Sequence, residues 1–207
     1  MKFPKSHGFT LIEIIVVMAV FLLVMAASVV IFVSIINVQR KILLQEQLLS
    51  QASYAMEYMS KALRMAKKDS TGSCLTDYVD YIYLYTREDE TEGRYKGIKF
   101  INENDNSACQ EFYLSDEGDN DAIRELKNST DDNDSSLLTA AKYSVKYFRT
   151  GVNGKEGEIG ESYGASEDDS QQPRVTIVLG IEVPGYEDQS YLKIQTTVSQ
   201  RNLNATE

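Results

Sequence analysis

Histidine is almost missing from this chain: among its 207 residues the only one is His7. That removes Ser-His-Asp and Cys-His catalytic pairs, and His-rich metal sites, from everything beyond the first few residues. Carboxylate-only catalysis survives the exclusion, but no feature of the sequence points to it. Cysteine is nearly as scarce. Cys74 and Cys109 allow one disulfide if the domain faces an oxidising compartment, and otherwise read as two unpaired core thiols. Tryptophan is absent, whereas tyrosine occurs 13 times. Tyr78, Tyr81, Tyr83 and Tyr85 crowd one stretch, where sheet packing is the default reading and a contact surface the lesser one.

Positive charge is scarce in one part of the chain only. Residues 1–8 carry +2 and residues 9–68 carry +3, while residues 69–207 hold 13 basic against 28 acidic side chains, or −15. A field of that sign repels phosphate backbones, so no nucleic-acid partner is expected without a cation or a local basic patch. The length suits one compact domain with an added element.

Charge of either sign is absent from Ile14 to Ile36, a run of 23 residues whose only polar members are Ser28 and Ser34. As a helix rising ~1.5 Å per residue it covers roughly 35 Å, enough for a bilayer core of ~30 Å. Lys2 and Lys5 precede it and Arg40 and Lys41 follow it, so the flanking charges give no decisive orientation. Ala26, Ala27 and Ser28 imitate a secretory cleavage site. The apolar run nevertheless continues to Val38, and Glu13 stands where an ordinary signal peptide is apolar.

Proline and glycine are absent from residues 9–71. After the apolar run, Leu44, Leu48, Ala52, Ala55, Met59, Ala62 and Ala66 recur at steps of four and three, with Glu46, Glu57, Lys61, Arg64 and Lys68 between them, the pattern of an amphipathic helix. One helix of about sixty residues is predicted, stopping near Gly72 after the basic Lys67 and Lys68. Tyr78–Thr86, Arg94–Ile101, Gln110–Leu114, Lys142–Arg149, Arg174–Val183 and Ser190–Ser199 read as strands. Asp121–Leu126 reads as a turn, and 116–136 and 151–172 as long acidic surface loops. The expected fold class is α+β, with a long N-terminal transmembrane and amphipathic helix packed on an antiparallel sheet. The expected layout is a leader at 1–8, the helix at 9–71 (apolar half 9–38, one-sided half 39–71), and a β-rich domain at 72–207.

Lys5-Ser6-His7-Gly8-Phe9-Thr10-Leu11-Ile12-Glu13, leading directly into the apolar helix, resembles the N-terminus of type IV prepilins and of type II secretion pseudopilins. The family pattern is a short basic leader, Gly before the scissile bond, usually Phe after it, and Glu at the fifth mature residue; here those places are Gly8, Phe9 and Glu13. The resemblance implies a pilin-like fold, cleavage after Gly8 by a membrane aspartyl prepilin peptidase, and N-methylation of Phe9. It also implies assembly with other pilin or pseudopilin subunits through the helix, at an inner-membrane assembly platform. The chain is then a substrate and structural subunit, not an enzyme. Its β-rich domain is expected outside the cytoplasmic membrane, and later in a pilus or pseudopilus. The large acidic segments, and Lys193–Asn202, which resembles the closing strand of minor subunits, imply a minor component. A pilin-delivered adhesin or ligand-binding head is the first alternative, and a membrane-anchored enzyme the second.

The residue types make physical sense independently. Gly8 lets a protease approach the backbone and lets the peptide extend cheaply. Glu13 places a carboxylate in an apolar helix, at a cost of ~2.5–3.5 kcal/mol near a bilayer centre and less near its edge. Cleavage creates an α-amino group of reference pKa ~8 on Phe9, one helical turn away, which methylation leaves charged. The same two charges on neighbouring subunits can set axial register, because a wrong register leaves both unpaired. Asp116, Glu117, Asp119, Asp121, Asp131, Asp132 and Asp134 offer oxygen ligands of the kind Ca²⁺ takes, without an EF-hand spacing. Solvated acidic loops are the competing reading.

Overall fold

A computed structural model of the chain describes residues 8–75, 81–89, 94–115, 121–153, 173–186 and 190–201. It divides into two units, residues 1–43 and 44–207. The long helix, α1, runs Leu11–Arg64. In the first unit every helical side chain from Leu11 to Ile35 is exposed, although nearly all are apolar. Such a surface is stable only against lipid or other helices.

In the second unit the remainder of α1 buries one stripe: Leu48, Ala52, Ala55, Met56, Met59, Ala62 and Leu63. The alanines in that stripe let the sheets approach the helix axis closely. Two antiparallel sheets share the core with it, where the sequence reading expected one. The larger has the strand order β1-β3-β4-β5-β6, with β2 beside β1 on the free edge of β3. Its strands are β1 (Ala66–Lys67), β2 (Tyr83–Asp89), β3 (Arg94–Asn102), β4 (Ala108–Ser115), β5 (Ala122–Lys127) and β6 (Ser136–Leu137). The smaller has the order β7-β8-β9: Ser144–Asn153, Arg174–Glu182 and Tyr191–Ser199.

The helix ends at Arg64, seven residues before the predicted limit at 71. Local propensity does not stop it, since neither Gly nor Pro occurs between Arg64 and Gly72. Tertiary hydrogen bonds take over its last carbonyls instead. The Tyr83 hydroxyl donates to the Leu63 carbonyl at 2.8 Å. The Arg201 amide donates to the Arg64 carbonyl at 2.9 Å, and the Glu103 amide to Met65 at 3.0 Å. Ala66 and Lys67 then pair with Asn102 and Ile101. The buried Gln200 side chain donates to the Ala66 carbonyl at 2.7 Å, so the segment after β9 helps close the helix end.

Two further expectations change. Asp121–Leu126 is not a turn: Ala122–Lys127 is a full strand between β4 and β6. It therefore interrupts the supposed loop 116–136, which also contains a short 3₁₀ turn at Asp132–Asp134. The strand was hidden because one of its inward residues, Glu125, is a carboxylate. Residues 151–153, assigned to the second loop, extend β7. Tyr78 and the rest of 154–172 lie outside the described residues.

Candidate functional site

Gly8 is exposed, and a Cβ added there would meet nothing within 4 Å. The fold therefore has no steric need of glycine at this position, which leaves any such need to whatever acts on the peptide bond after it. Phe9 is 81% exposed. Two residues later the helix begins.

Thr10 caps that helix, and Glu13 closes the cap. The Glu13 amide donates to the Thr10 carbonyl at 3.1 Å and to its Oγ1 at 3.4 Å; in return Glu13 Oε2 accepts from the Thr10 amide at 3.3 Å and from Thr10 Oγ1 at 3.4 Å. This reciprocal pairing is a capping box, which satisfies helix-terminal N–H groups that would otherwise lack partners. Thr-x-x-Glu immediately before an apolar run is its sequence signature, and the sequence reading passed over it. The carboxylate thus lies in the positive field of a helix N-terminus. It has an intrachain donor next to the bond that joins Gly8 to Phe9.

The other candidate residues lie in the second unit. Cys74 and Cys109 form a disulfide, with Cα atoms 5.4 Å apart. It ties the segment after β1 to β4 beside a small satellite cluster containing Leu75 and Ile101. Its neighbour Asp69 was not singled out from the sequence, yet it organises the segment. Only 1% exposed, Asp69 accepts at Oδ2 from the amides of Cys74 and Leu75, both at 2.8 Å. At Oδ1 it accepts from the Thr71 amide and hydroxyl and from the Ser73 amide, at 3.1–3.2 Å. Burial pushes this carboxyl up, but the donors from Leu75, Cys74 and Thr71 outweigh it and hold the group down at about 2. An Asp followed by Ser, Thr and Gly, with Gly72 at φ +67°, is the signal that could have marked this turn.

Of the proposed calcium ligands, Asp116, Glu117 and Asp119 lie outside the described residues. Among the described ones no group of three or more acidic, Cys or His side chains is placed to hold a metal. Asp131 instead caps the 3₁₀ turn through the Asn133 amide at 3.0 Å, and Asp134 accepts from the Ser129 hydroxyl at 2.7 Å. Asp132 is held by both terminal nitrogens of Arg87, one at 2.8 Å. That hydrogen-bonded guanidinium keeps the Asp132 carboxyl below its ordinary range. Arg87 also reaches Glu111 at 3.2 Å and lies 4.2 Å over the Tyr113 ring. These contacts fasten the 131–135 segment to the sheet face that points away from α1.

The helix Leu11–Arg64 is long and apolar enough to cross a membrane. No curated protein and no solved structure matches the chain. One family description does: the prokaryotic N-terminal methylation motif, over residues 3–29. Those residues hold Gly8, Phe9, the Thr10–Glu13 cap and the first part of the exposed apolar helix, and the match supports a type IV pilin-like reading of the chain.

Proposed function

We propose that the chain is a structural subunit, of the minor kind, in a type IV pilus or type II secretion pseudopilus, cut after Gly8 and N-methylated on Phe9. The observation that carries this reading is the junction of the methylation motif with an exposed apolar helix that starts at Leu11. Prepilin peptidase is its processing partner, and other pilin-like subunits are its assembly partners through α1. Before assembly the chain resides in the cytoplasmic membrane with residues 44–207 outside, a placement supported by the Cys74–Cys109 bridge, since such bonds persist in oxidising compartments. Its minor status is supported by the acidic segments that enlarge the β-rich domain.

Glu13 serves this function by its position. In the uncut chain its carboxylate is occupied by Thr10. Cleavage adds a cationic amine on Phe9 within one turn, and that amine, or the same amine on a neighbouring subunit, is the stronger partner in a low-dielectric bundle. N-terminal sequencing of membrane-extracted protein tests the reading. A start at N-methyl-Phe9 is expected, whereas an intact Met1 in assembly-competent cells overturns it.

A further inference from the structure

A protease reaches a peptide bond in extended backbone, where the N–H and C=O groups on either side are open to pair with it as an added strand. Inside a helix the same groups are already engaged with residues four places away. If the chain is cut after Gly8, the bond to be broken lies just ahead of a helix of 54 residues. Where α1 starts therefore decides whether that bond is accessible.

Thr10 sets that start. Gly8, Phe9 and Thr10 lie outside α1, and Leu11 is its first residue. The Thr10 carbonyl accepts the first intrahelical bond, from the Ile14 amide at 3.3 Å, as the carbonyl of an N-cap residue does. The Thr10 amide donates to Glu13 Oε2 at 3.3 Å, so both backbone groups of Thr10 are committed to the cap. The commitment stops there. Among the described residues no backbone hydrogen bond engages Gly8 or Phe9, and both are exposed. The carbonyl of Gly8 and the amide of Phe9, which together form the bond to be cut, are open to an incoming chain.

Gly8 is the rival start. Glycine serves as an N-cap about as well as threonine does. A helix beginning there would carry the Gly8 carbonyl into a bond with the Ile12 amide and draw the Gly8–Phe9 peptide into the first turn. Phe9 and Thr10 do not forbid this, since neither is glycine or proline and adding a residue to an existing helix is close to neutral. What separates the two starts is the side-chain exchange between Thr10 and Glu13. Gly8 has no side chain with which to cap, and the residue three places after it is Leu11, which has no carboxylate to return the bond.

We infer that Thr10 is a positioning residue for leader removal: by starting α1 at Leu11 it holds the Gly8–Phe9 bond in extended backbone for the peptidase. The inference rests on the cleavage reading and adds to it a residue that acts without belonging to the bond. The cap changes the share of chains that present the bond, so it governs the apparent KM of the peptidase and leaves kcat alone. It also sorts the side chains that serve at this place. Serine and asparagine cap at least as well as threonine, whereas valine has the shape of threonine and no oxygen.

The experiment takes the full chain in detergent micelles with the host's prepilin peptidase and follows release of residues 1–8 by mass at several chain concentrations. Thr10→Val should raise KM by a factor of about two to five with kcat unchanged, the ceiling being the roughly fivefold bias that an N-cap gives a helix start. Thr10→Ser and Thr10→Asn should stay within about twofold of the native KM. In ¹³C-labelled chain the Cα shift of Phe9 should move toward helical values in Thr10→Val and keep its native value in Thr10→Asn. A native KM in Thr10→Val, or a loss confined to kcat, overturns the inference. So does a raised KM that Thr10→Asn shares, which assigns the effect to recognition of threonine itself, and so does a raised KM without the shift at Phe9. A native chain that the peptidase leaves uncut overturns the cleavage reading and this inference with it, whereas native cleavage matched by Thr10→Val strikes the inference alone.

Discussion

Glu13 Oε2 accepts the Thr10 amide at 3.3 Å while the Glu13 amide returns a bond to Thr10 Oγ1 at 3.4 Å. Capping and charge are thus two separable properties of one carboxylate. Glu13→Gln keeps an oxygen that can accept from Thr10 and removes only the charge. Cleavage after Gly8 should proceed to the native extent, while incorporation into filaments falls about tenfold or more, the equivalent of ~1.4 kcal/mol. Comparing the mass of processed chain with the amount recovered in sheared filaments measures both. Normal incorporation of this variant would remove the charge from the assembly step. Thr10→Ala, by contrast, should cost ~1 kcal/mol of helix-end stability without altering charge.

Asp69 gives the domain an acid limit. Its carboxyl is held at about 2, below the ordinary 3.8, so the unfolded chain binds its proton more readily than the folded one. The stabilisation is complete above pH ~4 and is lost as pH falls from there through about 2, worth roughly 2 kcal/mol over that span. Asp69→Ala should lower stability at neutral pH, because the amides of Cys74 and Leu75 lose buried acceptors at ~1–3 kcal/mol each before relaxation. It should also flatten the melting temperature between pH 4 and 2. An unchanged acid slope in the variant would assign that slope to other carboxylates.

The Cys74–Cys109 bridge closes a loop with a sequence separation of 35. On chain-entropy grounds a loop of this length contributes ~4 kcal/mol by restricting the unfolded state. Alkylation without reductant should leave the mass unchanged, and alkylation after reduction should add two adducts. The reduced chain should unfold at lower denaturant concentration. Because Asp69 orders Cys74 and Leu75 independently of the sulfurs, the Cys74→Ser/Cys109→Ser chain should retain native near-ultraviolet circular dichroism while losing that stability.

What the sequence displayed plainly were features set by long, uninterrupted patterns. The apolar run from Ile14 to Ile36, the one-sided stripe from Leu48 to Leu63, and the strands at Arg174–Glu182 and Tyr191–Ser199 all follow from periodicity. What it concealed were places where a distant partner reverses a local preference. Arg64 ends α1 because the amide of Arg201 and the side chain of Gln200 arrive there from the far end of the chain. Ala122–Lys127 is a strand although Glu125 points inward, because Tyr58 and Gln110 supply its donors. Gly8, Phe9 and Glu13 were legible as a motif; the Thr10 cap lay in the same nine residues and was missed because Glu13 was read only as a charge.

Tyr58 makes that inward carboxylate testable. Its hydroxyl, on the half-buried side of α1, donates to Glu125 Oε1 at 2.8 Å, an atom that also takes the Gln110 amide nitrogen and lies 3.5 Å from Lys127 Nζ. Burial first, and the adjacent Glu125 carboxylate second, push the phenol up from its ordinary value, so it remains a donor throughout the working range of pH. Tyr58→Phe keeps the ring that meets Phe112 edge-on at 6.0 Å and removes only the hydroxyl. Glu125 loses one of its charge-assisted bonds, and the chain should be destabilised by ~1–2 kcal/mol in urea titration. Adding Glu125→Leu should remove most of that penalty, because no carboxylate is then left short of a donor, giving a coupling of ~0.5–3 kcal/mol in the double-mutant cycle. Strict additivity would mean that the helix is held on the sheet by its apolar stripe alone.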